Sequence, residues 1–203
     1  MNSVATPSTS SPTQQVARLL SLVLHPFLVA PVAIAGILWL DLDDLRAALG
    51  WAGLCAAMVV GPALLRLLLK LHRHEVGDAD LSHREERFGQ YGLGALCMGL
   101  CYAVLRLLRA PELLQLGFRA ALVAVLAAAL VNRFWTKVSI HAGVMAGVTL
   151  AMLLYHRPLA AALAAATLLV TWARLVLHQH TVPQVLLGWL LAALAVGVAL
   201  ACR

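Results

Sequence analysis

From Val16 to Cys202 the chain is a succession of apolar stretches, most of them about the length of a bilayer crossing. Buried in hydrocarbon, a backbone must satisfy its own hydrogen bonds, which leaves helices or a closed barrel. The apolar residues do not alternate with period two over ~10-residue segments, as barrel strands require. The expected fold class is therefore all-α, a polytopic membrane helical bundle. Hydrophobic residues make up 62% of the chain and charged ones 12%, far from the ~45–50% apolar usage of soluble domains. At ~20 residues per crossing there is room for about six to seven transmembrane helices and for no separate soluble domain.

The expected crossings run from Val16 to Leu40, Ala47 to Leu69, Tyr91 to Leu108, Leu116 to Val131, Val138 to Tyr155, Pro158 to Leu177 and Val182 to Cys202. His25-Pro26 and Pro31 predict a kink in the first of them. Residues 1–15 are rich in Ser, Thr and Pro and have no basic start, so they read as a disordered tail ahead of a single domain, 16–203. Cys55, Cys97, Cys101 and Cys202 show neither zinc nor disulfide spacing and read as packing residues. The net charge of +6 is not gathered into a basic block with interleaved aromatics. Nucleic acid is thus not an expected partner; the bilayer and an anionic substrate are.

Three polar junctions interrupt the apolar pattern: KLHRHEVGDADLSHREERFGQ from Lys70 to Gln90, NRFWTKVSIHA from Asn132 to Ala142, and ARLVLHQHTVPQ from Ala173 to Gln184. Two crossings separate each from the next, so all three face one side of the membrane. Together they offer the cations Arg84, Arg87, Lys137 and Arg174, the hydroxyls of Ser139 and Thr181, and the imidazoles of His141 and His180. Guanidinium groups match phosphate oxygens in bidentate geometry, and several cations about one centre stabilise a pentacoordinate phosphoryl transition state. Histidine serves as nucleophile on phosphorus or as general acid near neutral pH. The set suits phosphate-ester hydrolysis with no metal or cofactor.

The same residues resemble the type 2 phosphatidic acid phosphatase / vanadium haloperoxidase superfamily, whose signatures are Lys-x6-Arg-Pro, Pro-Ser-Gly-His and Ser-Arg-x5-His-x3-Asp. Here the third reads Ala173-Arg174, His180 and Gln184, the second Val138-Ser139-Ile140-His141, and the first Asp80 followed by Arg87-Phe88. The resemblance spans Asp80 to Gly188 and implies a phosphatase-like helical core. It implies that His180 attacks phosphorus, that His141 protonates the leaving oxygen, and that Arg87, Arg174 and Ser139 hold the phosphate. Gln184 stands where the family has the Asp that orients the nucleophile. Asp80 stands where it has Lys, a charge that Lys137 or Arg84 would replace. The implied activity is hydrolysis of a lipid phosphomonoester or isoprenyl (di)phosphate at the plasma or inner membrane.

Rival readings attach to the same residues. Arg174 would snorkel to the interface, Arg84 would pair with Asp80 one helical turn away, and His178 is a bystander. Two of His25, His141, His156 and His180 would ligate a haem, the DADLSHREE stretch would hold magnesium in a prenyl-transfer enzyme, or the fold would survive as a catalytically inactive binding protein.

Overall fold

The computed structural model describes residues 11–73 and 84–201, with 84–88 as backbone only. Asp80, residues 78–83 of the DADLSHREE stretch, and the side chains of Arg84 and Arg87 lie outside the described residues, as do residues 1–10, Cys202 and Arg203. The described residues are helical, with short connections and no strand.

Helix α1 (Pro12–Val23) opens four residues before the expected Val16, because Ser11 and Gln14 form a reciprocal capping box and Pro12 occupies the first turn. Residues 11–15 thus begin a helix rather than ending a tail. The first crossing is broken as well as kinked. His25 caps α2 (Pro26–Leu42), its Nδ1 accepting the Phe27 N–H at 3.2 Å, and α1 and α2 are bent by 48° at that break. Pro26 starts a helix and cannot continue one. Asp44 caps α3 (Leu45–Cys55) by accepting from two backbone amides. A π-helical turn, Ala56–Val60, joins α3 to α4 (Gly61–His72), and the Gly61 N–H reaches back to the Ala56 carbonyl. Pro62 lacks an N–H and crowds the carbonyl four residues earlier, and the wider turn accommodates it. Helices α5 (Arg84–Leu107), α6 (Glu112–Phe134), α7 (Ile140–Leu153), α8 (Arg157–Val176) and α9 (Val182–Ala201) follow.

Five spans among the described residues are long and apolar enough to cross a membrane, and six if the bent α1–α2 pair counts as one. The segment expected to cross from Val138 to Tyr155 does not qualify. Its helix has 14 residues and is about 21 Å long at 1.5 Å per residue, against a hydrocarbon core of ~30 Å. Ser139 is extended before it, and Leu154 and Tyr155 turn away after it. This short helix is nevertheless central, packing against α2, α8 and α9.

Small residues draw α7 and α9 together. A Cβ added to Gly188 would lie 2.7 Å from the Ser139 carbonyl oxygen, and one on Gly143 would lie 3.2 Å from the Gly188 carbonyl oxygen. Backbones approach this closely only where side chains are absent. Leu38, Cys55, Cys101, Leu105 and Phe118 form the largest buried apolar cluster, and they hold α2, α3, α5 and α6 together. Many large apolar side chains point outward instead, Val32 72% and Leu107 82% exposed. That is the surface of a multi-pass membrane protein, whose solvent on that side is lipid.

Candidate functional site

The end of α8 places the first functional side chain. Arg174, in the last turn, is 1% exposed, and its Nη1 donates to Ser21 Oγ of α1 at 2.8 Å. It does not snorkel. A guanidinium withdrawn from water is held in place by its partners, so the residue belongs to the interior of the bundle end.

Arg174 and His180 are six residues apart in sequence, and the chain between them wraps back on itself. The amides of Gln179 and His180 both bond to the Arg174 carbonyl, at 3.2 and 3.4 Å, while His178 takes a left-handed conformation at φ 52°. This is the hydrogen-bond logic by which helices are closed at their C-termini. It returns His180 over the end of α8 as a buried residue and leaves His178 exposed.

Gln184, in the first turn of α9, fixes the chemistry of His180. Its Oε1 accepts the Thr181 N–H at 3.2 Å, and its Nε2 donates to Thr136 Oγ1 at 3.1 Å. The Thr181 amide, which can only donate, identifies the oxygen, and that oxygen lies 3.2 Å from His180 Nδ1. The ring must then carry its proton on Nδ1 to donate there, which makes Nε2 the unprotonated nitrogen of the neutral ring. The Gln184 main-chain carbonyl also accepts the Ser139 N–H at 3.2 Å. One residue thus joins the α8–α9 connection to the α6–α7 connection.

At the start of α7, Ser139 is fully buried and His141 is 6% exposed. The His141 ring lies within electrostatic reach of Arg174, His25 and His180, and within hydrogen-bonding reach of the Ser21 main chain. It meets the His25 ring edge-on, with centroids 4.9 Å apart. Ser139 Oγ and His141 Nε2 are buried and have no hydrogen-bond partner among the described residues. Leaving such groups unmet costs about 1–3 kcal/mol each, so they call for an explanation. Helices α2, α7 and α9 all begin within this group of residues, and the positive ends of their dipoles favour an anion there.

The remaining predicted residues sit nearby or outside the described set. Lys137 Nζ donates to the Gln179 carbonyl at 3.2 Å, beside His180. The start of α5 enters the same end, since Tyr91 packs with Ala128 and Val138, and Leu187 and Leu191 of α9 lie against that cluster. Arg87 is one helical turn before Tyr91 on the α5 backbone. Sequence reasoning misses Ser21 and Thr136 as site residues, and it gives His25 only a place in the kink and a part in the haem reading. A serine within an apolar helix carries no local signal, whereas the His-Pro pair marked the break that brings His25 in.

The pairings of the haem reading that use His25 or His156 do not fit this geometry. His25 and His141 touch ring to ring, with no gap for a macrocycle, and His25 Nδ1 is engaged in capping α2. His156 caps α8 at the other end of α7. His141 and His180 are left beside a buried guanidinium, which favours an anion over a metal cation. Among the described residues no group of three His, Cys, Asp or Glu side chains is placed to hold a metal ion. Compared with protein-family models, with curated proteins and with solved structures, the chain matches none.

Proposed function

We propose that the protein is a metal-independent phosphatase acting on a lipid phosphomonoester or isoprenyl (di)phosphate, with a core like that of the type 2 phosphatidic acid phosphatases, at the plasma or inner membrane. The observation that carries the reading is the gathering of two buried imidazoles and one buried guanidinium at one end of the bundle. His180 Nδ1 is oriented by Gln184, and His141 Nε2 is buried with no hydrogen-bond partner among the described residues.

In this reading His180 Nε2 attacks phosphorus as the bond from phosphorus to the lipid oxygen breaks, and the departing oxygen takes a proton from His141. Water deprotonated by the same His141 then attacks the phosphohistidine, releasing inorganic phosphate and restoring His180. Arg174, the Ser139 hydroxyl and the dipoles of three helix N-termini offset the charge that develops on the phosphoryl oxygens. Lys137, Arg84 and Arg87 are the further cations assigned to that anion. The substitution of Gln184 for a carboxylate keeps the orienting hydrogen bond and removes the charge that would stabilise an imidazolium. Slow turnover follows.

Purified protein is expected to release phosphate from a panel of lipid phosphates with chelator present and to lose that activity to vanadate. His180→Ala is expected to abolish it. Turnover that requires added divalent metal would contradict the proposal. The uncharged Gln184 favours one second reading, a binding protein of the same architecture, for which lipid phosphate would bind and never be cleaved.

A further inference from the structure

Helices α2, α7 and α9, whose starts surround His141, also wall a cleft far down the same bundle. Leu38, Leu154, Tyr155 and Val196 meet Leu114 and Gly117 of α6 around a cavity of about 100 Å³. Its depth follows from the short central helix. With 14 residues, α7 runs out some 9 Å before a hydrocarbon core of ~30 Å would end, and the cleft lies at that end.

We propose that this cleft receives the far end of the substrate's hydrocarbon tail, and that the substrate is a lipid phosphate whose tail is longer than one leaflet. The proposal rests on the reading of the polar cluster as the head-group site. Ten residues of α7 separate His141 from the cleft-lining Ala151, about 15 Å along the helix axis. One leaflet of the hydrocarbon core is also about 15 Å deep. A tail of one leaflet's length therefore ends where the cleft begins, and only a longer one fills it. The cavity has room for the tip of such a tail. Its walls offer such a tip close hydrocarbon contacts.

Gly117 supplies the test, because a Cβ built on it meets nothing within 4 Å. Gly117→Leu adds a side chain at the wall of the cleft, and Gly53→Leu, equally exposed and open around its Cβ but not lining the cleft, is the control. With geranylgeranyl phosphate as substrate, whose tail reaches one isoprene unit past that of farnesyl phosphate, Gly117→Leu is expected to lower kcat/KM by about tenfold, the scale of a misfit in an apolar pocket. With farnesyl phosphate, and with Gly53→Leu on either substrate, no change is expected. An equal loss on both substrates, or none on the longer, overturns the proposal. Photolabelling the wild-type chain with a long prenyl phosphate bearing a diazirine at its tail end decides the matter separately. Label between 113 and 120 or between 151 and 155 supports the cleft, and label confined elsewhere refutes it. Absence of phosphate release from every substrate would sink the phosphatase reading while leaving that labelling result interpretable.

Discussion

At the scale of single residues, Gln184 decides most. It sets the tautomer of His180, bonds to Thr136 and Thr181, and accepts from the Ser139 amide. Gln184→Glu keeps the shape and adds a charge beside the Nδ1 proton, and the Thr136 hydroxyl can turn to donate. A carboxylate there stabilises the imidazolium-like character that develops during attack. We expect the rate constant for phosphate release to rise about tenfold or more, read by single-turnover kinetics; a fall would mean that Gln184 does not orient a nucleophile. Ser21→Ala removes an acceptor from buried Arg174. Loss of a hydrogen bond to a charged group costs about 1.5–3 kcal/mol, so the variant should melt earlier in detergent. An unchanged melting point would show that the bond carries little. His141, Ser139, Arg174 and His180 could be named from residue type and spacing alone. Ser21 could not, because what recruits it is the packing of α1 on α8, more than a hundred residues away in sequence.

Among the elements, α7 is where expectation and structure part. Its composition is as apolar as a crossing, and hydropathy registers composition without seeing where caps and turns trim the helix. What sets its ends is local: extended backbone at Ser139 before it and a turn at Leu154 and Tyr155 after it. The His25-Pro26 break was legible for the opposite reason, since proline acts on the backbone directly. The contact between α7 and α9 depends on Gly188, where a methyl group would strike the Ser139 carbonyl oxygen. Gly188→Ala is expected to push the start of α7 away from α9 and to break the Ser139–Gln184 main-chain bond. Activity should fall at least tenfold, with a lowered melting temperature. A variant with wild-type turnover would show that the approach is not needed.

For the molecule as a whole, the counting of crossings placed three polar junctions at one end by taking α7 as a crossing. Helix α7 is too short for that, and the second and third junctions are joined instead by direct bonds, Ser139 to Gln184 and Lys137 to Gln179. Arg73, Trp135 and His178 lie at the end that carries His141 and His180; Asp43, Arg109 and His156 lie at the other, and all six are exposed. Single cysteines at the first three should react with a membrane-impermeant maleimide from one side only, and those at the other three from the opposite side. Mixed accessibility within either trio would break the topology on which the site is built.

The central claim is that His180 becomes the phosphoryl acceptor in a cup formed by distant parts of the chain. The direct measurement is to quench chelator-treated protein into alkali after brief exposure to a lipid phosphate carrying radioactive phosphorus, and then to map the labelled peptide. We predict alkali-stable, acid-labile phosphate on the peptide containing His180, absent from His180→Ala. Phosphate release that continues in His180→Ala, or label on a different residue, would contradict it.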